Sequence, residues 1–105
     1  MDSVINLNAS EFNNNISTDE SAIVIDVRTP REYSDGHIPN SILIDIYNPT
    51  FQEKVCALDK NKNYYIYCRS GNRSFHAGKF MHSQGFKNVH HLENGILSWS
   101  DILEK

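Results

Sequence analysis

Short runs of β-branched and aromatic residues alternate with helix-like segments, and this alternation constrains the fold more than any other feature of the chain. The run AIVIDV at residues 22–27 is almost continuously apolar, which is typical of a strand buried on both faces of a parallel sheet. Further strands are predicted at residues 4–7, 41–46, 63–68 and 88–92. Strands and helices in this order predict an α/β fold of three layers, with a mostly parallel central sheet of about five strands and helices on both faces.

Helices are predicted between these strands, at residues 10–16, 29–39, 50–58, 74–85 and 94–105. The second is the best marked, because Thr29 can cap it, Pro30 suits its first position and Glu32 completes a capping box. Gly36 is expected to end this helix, and Asn94 is expected to cap the last one.

Composition is ordinary for a small globular protein, with 39% hydrophobic and 22% charged residues among 105, which fits one domain over residues 1–105. A net charge of −3 provides no basic surface of the kind that nucleic-acid binding requires. The sequence shows neither a secretory signal nor the ~18 consecutive apolar residues of a membrane helix. We therefore expect a cytoplasmic monomer that binds neither nucleic acid nor a membrane.

The two cysteines, Cys56 and Cys68, form neither a C-x-x-C pair nor a zinc-finger spacing, and a disulfide is not expected in a reducing compartment. Cys56 follows Val55 on a predicted helix and is interpreted as a core residue. Adjacent strand residues face opposite sides of a sheet, so His90 and His91 are not expected to chelate a metal together.

The segment YCRSGNRS is the strongest candidate for a functional site. It places Cys68 at the carboxyl end of a predicted strand, where ligands bind in parallel α/β folds. Arg69 and Arg73 add positive charge, and a helix that begins near Ser74 directs the positive end of its dipole at the turn. Gly71 can adopt a positive φ, which lets successive backbone N–H groups point inward as an anion-binding nest. These features favour the thiolate form of the cysteine, which is its nucleophilic form.

Three motifs in this order resemble the rhodanese family of single-domain sulfurtransferases. They are IDVRTPREYSDGHIPNSILI at residues 25–44, YCRSGNRS at 67–74 and GFKNVHHLENGILSW at 85–99. The chain departs from the family at Asn94–Gly95, where two adjacent glycines are usual. Because asparagine tolerates left-handed conformations, we expect a local substitution that does not disturb the fold.

The resemblance implies that Cys68 is the nucleophile that accepts a sulfur atom. The same resemblance assigns substrate binding to the loop residues Arg69, Ser70, Gly71, Asn72, Arg73 and Ser74. It also implies that Asp26 and Arg28 support the site from the neighbouring strand end. The matching residues Glu32, Gly36 and His37 are interpreted as shaping the fold, since a capping box and a turn already account for the first two.

The implied reaction is a double displacement through a Cys68 persulfide. The sulfur donor is expected to be thiosulfate or a persulfide. The acceptor is expected to be cyanide or a thiol, such as glutathione or a thioredoxin-like protein. No metal or organic cofactor is required, because the cysteine itself carries the sulfur.

Two alternatives stay open. Phosphatases and arsenate reductases share a cysteine, an anion cradle and an arginine before a helix, but about five residues separate that cysteine from the arginine, whereas four lie between Cys68 and Arg73. The other alternative is a non-catalytic binding or regulatory module of the same fold. Two aromatic residues also have predicted roles: Tyr67 is expected to help wall the pocket beside the cysteine, and Trp99 to anchor the core.

Overall fold

A computed structural model describes residues 4–105 and shows one sheet of five parallel strands. The spatial order is β1-β5-β4-β2-β3, so β4 lies at the centre of the sheet. The strands are β1 (Val4–Leu7), β2 (Ala22–Asp26), β3 (Ile42–Leu43), β4 (Asn63–Tyr67) and β5 (Asn88–Leu92). The predicted α/β class with a parallel sheet of five strands is confirmed.

Helices follow the strands as predicted, except at the carboxyl-terminal end. They are α1 (Ala9–Thr18), α2 (Pro30–Asp35), α3 (Phe51–Cys56) and α4 (Asn72–Ser83), with a single 3₁₀ turn at Ile96–Ser98. The predicted capping box of α2 is present, because Thr29 accepts from the Glu32 N–H and Glu32 accepts from the Thr29 N–H. Asn8 and Glu11 form a second capping box at the start of α1.

Each face of the sheet is covered by its own apolar cluster, because successive strand residues point to opposite faces. One cluster lies between the sheet and the helices α3 and α4; its fully buried members include Ile25, Val55, Tyr64, Ile66, Cys68, Ala77, Met81, Phe86 and Val89. The other lies on the α1 face and includes Leu7, Phe12, Val24, Ile38, Tyr65, Tyr67 and Leu92. Helices therefore pack on both faces, as predicted.

The predicted helix over residues 94–105 is wrong. Only Ile96–Ser98 forms a 3₁₀ turn, and the chain then continues without a helix until Glu104 pairs with His37 in an antiparallel bridge. The N–H groups of Ile96 and Leu97 donate to carbonyl groups of the 68–69 segment, as the unpaired N–H groups of a first helical turn can. The helix does not continue because the backbone becomes extended at Trp99, with φ −78° and ψ 125°.

Two other predictions need correction. The strand predicted at residues 41–46 has only two ladder residues, although the Ile44 N–H and the Ile46 N–H still donate to carbonyls at the end of β2. Cys56 is exposed and is not a core residue. A helix turns by about 100° per residue, so Val55 faces the core while its neighbour turns outward. Trp99, which was predicted to anchor the core, is half-buried and packs edge-on against Phe12 at the margin of the α1-face cluster.

Candidate active site

Cys68 follows β4, the central strand, and lies at the middle of the carboxyl edge of the sheet. Its side chain is buried. The loop after it turns at Gly71, whose φ of 106° is unfavourable for residues with a Cβ, and α4 begins at Asn72. A Cβ at position 71 would also overlap the backbone oxygen of Glu93. Both the positive φ and the close packing therefore require glycine at this position. The positive φ was predicted from the sequence.

The cysteine sulfur receives hydrogen bonds from the loop and from the first turn of α4. Gly71 N–H donates to Cys68 Sγ at 3.1 Å, and Ser74 N–H donates to it at 3.4 Å. The Ser74 hydroxyl lies 3.6 Å from the sulfur. Each hydrogen bond to a charged acceptor contributes about 1.5–3 kcal/mol, and the positive end of the helix dipole acts in the same direction. The arrangement therefore stabilises negative charge on the sulfur.

The loop is held in this shape by the turn before the 3₁₀ segment. Ile96 N–H donates to the Cys68 carbonyl at 2.9 Å, and Leu97 N–H donates to the Arg69 carbonyl at 3.2 Å. Gly95, with a φ of 67°, packs so closely that a Cβ would overlap the Arg69 carbonyl. These bonds engage the carbonyls of Cys68 and Arg69, while the N–H groups of Gly71 and Ser74 face the sulfur.

Arg73 forms a bidentate ion pair with Glu32, with Nη1–Oε1 and Nη2–Oε2 distances of 2.8 and 3.0 Å. The pair lowers the pKa of Glu32 to about 2, chiefly through the hydrogen bonds from Arg73. It also raises the pKa of Arg73, mainly through the hydrogen bonds to Glu32, with a smaller contribution from the Cys68 charge. Glu32 therefore does more than cap α2: it joins that helix to the active-site loop.

Three other predicted loop residues lie at the surface. Arg69, Ser70 and Asn72 are exposed, whereas Gly71 and Ser74 are buried around the sulfur. The structure thus brings all six predicted loop residues together around Cys68 and divides them into inner and outer members. The outer side chains face solvent at the mouth of the loop.

Asp26 and Arg28 form a buried ion pair at the neighbouring strand end, with Arg28 Nη2 2.7 Å from Asp26 Oδ2. Arg28 also donates to the Gly36 carbonyl at 2.7 Å, and its guanidinium lies 5.5 Å from the centre of the Tyr67 ring. Burial alone lowers the pKa of Arg28, but Asp26 outweighs that effect and the pKa lies above its ordinary value. The pair therefore braces the strand that carries the cysteine and the end of α2.

Tyr67 does not wall the pocket. Its ring lies on the α1 face of the sheet, opposite Cys68, because the two residues are adjacent on one strand. Its hydroxyl accepts from the Ile38 N–H at 3.0 Å and lies 3.1 Å from the Ser41 hydroxyl. Burial, together with the charge of Asp26, raises the pKa of the phenol.

His91 entered the sequence-based predictions only as a candidate metal ligand, whereas the structure buries it one side chain away from the cysteine. His91 Nδ1 lies 3.0 Å from Ser74 Oγ, and its Nε2 lies 2.7 Å from Asn6 Oδ1. His90, in contrast, stacks on Tyr65 on the other face of the sheet, as the alternation of strand residues requires. The same alternation could have located His91, because it places that side chain on the face that carries Cys68.

Other kinds of site find little support among residues 4–105. No group of three His, Cys, Asp or Glu side chains in this range could hold a metal ion. No helix in the same range is long and apolar enough to cross a membrane. A groove of about 610 Å³ lies on the α1 side, where Asn13, Ile38 and Trp99 line it, and it does not include the cysteine loop. The buried cysteine therefore lies outside this groove.

The comparisons with known proteins show what the whole chain is similar to. The family model of the rhodanese-like domain matches residues 8–102. The putative sulfurtransferase YtwF of Bacillus subtilis is 40% identical over 84 residues, which cover 80% of this chain and 79% of YtwF. The tRNA uridine(34) hydroxylase of Buchnera aphidicola is 40% identical over 92 residues, which cover 82% of this chain; the chain spans 29% of that protein's length.

Two solved structures are similar along most of their length. A rhodanese-related protein from Thermoplasma volcanium has a TM-score of 0.81 and 34% identity, covering 95% of this chain and 97% of that one. A rhodanese-like domain protein from Staphylococcus aureus has a TM-score of 0.83 and 30% identity, covering 96% of this chain and 97% of that one.

Proposed function

The chain belongs to the rhodanese-like domain family, and from this premise we propose that it is a sulfurtransferase that carries sulfur as a Cys68 persulfide. The observation that carries the proposal is the pair of backbone N–H groups, from Gly71 and Ser74, that point at Cys68 Sγ from 3.1 and 3.4 Å. Donors fixed in advance stabilise charge on a nucleophile or a leaving group without reorganisation during the reaction.

In the first half-reaction the Cys68 thiolate attacks the outer sulfur of the donor. With thiosulfate, the new S–S bond forms as the bond to sulfite breaks, sulfite leaves with the electron pair, and the cysteine becomes a persulfide. In the second half-reaction an acceptor thiolate attacks the outer persulfide sulfur and releases the Cys68 thiolate. Both steps balance without a redox partner or a cofactor, since the cysteine carries the sulfur throughout.

The ion pair of Arg73 favours this reaction over phosphoryl transfer. A phosphatase of this layout needs its arginine fork to hold the oxygens of a tetrahedral anion. Here both terminal nitrogens of Arg73 bind Glu32, so the fork is already occupied. What faces the sulfur is a small set of backbone donors, which suits one added sulfur atom.

We further propose thiosulfate or a small persulfide as the donor and a thiol as the acceptor. The exposed side chains of Arg69, Ser70 and Asn72 surround the loop, and the positive charge of Arg69 favours an anionic donor. Glutathione and a thioredoxin-like protein both present thiols that could reach an exposed loop. A donor panel separates these possibilities.

Intact-mass measurement of the full chain tests the proposal. After incubation with thiosulfate, glutathione persulfide or polysulfide, we expect the wild-type protein to gain one sulfur atom and to lose it on addition of an acceptor thiol. Cys68→Ser should gain none. Cys56→Ser is the matched control, because it removes the exposed cysteine and should leave the gain unchanged.

Two results would contradict the proposal. One is the absence of any mass gain with every donor, under conditions in which a known sulfurtransferase is loaded; this would favour a non-catalytic binding module. The other is sulfur that maps to Cys56 instead of Cys68. Phosphatase activity that disappears in Cys68→Ser would favour the other alternative.

A further inference from the structure

A line of hydrogen-bonded side chains leads away from the reactive sulfur into the sheet. Cys68 Sγ lies 3.6 Å from Ser74 Oγ, which lies 3.0 Å from His91 Nδ1. His91 Nε2 lies 2.7 Å from Asn6 Oδ1 on the edge strand β1. The first three side chains are at most 3% exposed, whereas the asparagine reaches the surface. Four different elements of the fold therefore build this line.

The two ends of the line determine its direction. A carboxamide oxygen can only accept a hydrogen bond, so the Nε2 atom of His91 carries the proton that it donates to Asn6. In the neutral ring, Nδ1 is then the nitrogen that carries no hydrogen, and it can accept a hydrogen bond. The Ser74 hydroxyl can donate to that atom while its oxygen accepts the Cys68 thiol hydrogen. Ser74 Oγ also lies 3.2 Å from the Gly71 carbonyl, a second acceptor to which the hydroxyl can rotate.

We propose that His91 takes the Cys68 proton through Ser74, so that the cysteine and the histidine ionise as a pair. The Cys68 S–H bond breaks and its proton passes to Ser74 Oγ. At the same time the Ser74 proton passes to His91 Nδ1. The products are a thiolate and an imidazolium, the net charge is unchanged, and no other reactant is needed. The inference rests on the proposed function, since it explains how that nucleophile is formed.

Burial is the physical reason for the pairing. An isolated charge in the protein interior is strongly disfavoured, whereas two opposite charges linked by a hydroxyl offset much of that cost. The thiolate would then receive hydrogen bonds from Gly71 N–H, Ser74 N–H and the Ser74 hydroxyl. Among residues 4–105, the side chains near His91 include the neutral Asn6 on β1 and Ser74 and Phe75 on α4, and the titratable Cys68 is linked to it through Ser74. His91 does not touch the reacting atoms, so its role is that of a positioning residue.

The first test follows alkylation of Cys68 by iodoacetamide across pH, with peptide mass mapping to separate it from Cys56. Alkylation reports the thiolate fraction. His91→Gln retains a polar side chain that cannot accept the proton, and we expect alkylation at neutral pH to be about tenfold slower. His90→Gln is the matched control on the opposite face, and its rate should equal that of the wild type. Equal rates in His91→Gln and the wild type overturn the proposal.

The second test needs no substitution at the histidine, so it remains valid if His91→Gln fails to fold. Nitrogen-detected NMR of the full chain follows the protonation of both His91 ring nitrogens against pH. In the wild type we expect His91 to be an imidazolium over the same pH range in which Cys68 is a thiolate. In Cys68→Ser the pH at which half of His91 is charged should fall by about one unit or more, because the thiolate partner is gone. An identical titration in both proteins overturns the proposal.

A double-mutant comparison shows whether the histidine acts through the serine. If it does, Ser74→Ala and the double variant with His91→Gln should be alkylated at the same rate, because either change breaks the same line. Additive losses of alkylation rate would contradict a proton relay from Cys68 through Ser74 to His91. None of these measurements uses a sulfur donor. A protein that forms the ion pair but no persulfide would refute the proposed function alone, and one that forms the persulfide without the pair would refute the relay alone.

Discussion

Replacement of Glu32 by glutamine tests how strongly the ion pair to Arg73 holds the active-site loop against α2. Glu32 has two tasks in the structure: it accepts from the Thr29 backbone N–H in the capping box and it binds the guanidinium with both oxygens. Glutamine retains one oxygen for the cap but loses the charge. Glu11→Gln is the matched control, because Glu11 forms the same capping box with Asn8 and has no arginine partner among the described residues.

The expected magnitude follows from the pKa of Glu32, which falls from its ordinary 4.5 to about 2, chiefly because of Arg73. That change corresponds to an upper bound of about 3 kcal/mol. The two side chains retain 27% and 20% of their exposure, so solvent screens part of the interaction. We therefore expect Glu32→Gln to lower the free energy of unfolding near neutral pH by about 1–2 kcal/mol more than Glu11→Gln does.

The sign of the pH dependence follows from the lowered pKa. A carboxylate whose pKa is depressed by folding stabilises the protein fully above its unfolded pKa, and the contribution is lost as pH falls through the folded pKa. The window for Glu32 therefore runs from about 4.5 down to about 2. By about pH 3 the difference between the two variants should have fallen to less than half its value near neutral pH.

Urea unfolding, followed by circular dichroism at both pH values, measures the difference, with the slope of each transition used to check that unfolding remains two-state. Either of two results refutes the reasoning. One is that Glu32→Gln and Glu11→Gln are equally stable near neutral pH. The other is that their difference is the same at both pH values, which would mean that the carboxylate charge does not produce it.

Three further predictions concern the supports of the site. Gly95→Ala should lower the free energy of unfolding, measured in urea, by about 2–4 kcal/mol, because its Cβ would overlap the backbone of the cysteine loop. Persulfide loading should also fall, and loading at the wild-type rate would show that Gly95 does not hold the loop in shape. Tyr67→Phe should lower the free energy of unfolding by about 1–3 kcal/mol, because the Ile38 N–H loses its hydroxyl partner. Persulfide loading should be unchanged because the ring faces away from the sulfur, and a loss of loading would contradict that orientation. Phe12→Ala should lower the free energy of unfolding by about 3–5 kcal/mol in thermal or urea experiments, because the ring is fully buried between Tyr65 and Trp99. A decrease below about 1 kcal/mol would show that the α1 face is not packed in this way.

Signals that act over a few residues were enough to predict much of the molecule. The capping box of Thr29 and Glu32 located α2, and the apolar run of β2 indicated a strand covered on both faces. The loop between Cys68 and Arg73 was predictable for the same reason, since a glycine, a helix start and a strand end are local features. These interactions depend on neighbours in the chain, so the sequence displays them directly.

Predictions failed where a local preference met a stronger partner elsewhere. The segment after Gly95 has a helical pattern, but its backbone becomes extended at Trp99 and Glu104 pairs with His37. Cys56 lies beside a core residue on the helix, and small differences in helix orientation decide which of the two faces the interior. Such outcomes depend on how elements pack, which a pattern of hydrophobic residues constrains only loosely.

The sequence by itself determined the succession of strands and helices as far as β5, the position of Cys68 at a strand end and the glycine turn of the loop that follows it, because neighbouring residues produce all three. Only the tertiary structure decided what surrounds that loop. Asn6 and His91 are 85 residues apart and meet because β1 and β5 are adjacent in the sheet. Glu32 and Arg73 are 41 residues apart and meet because α2 and α4 both begin at its carboxyl edge. The order of the strands brings these partners together, and no local signal in the chain specifies that order.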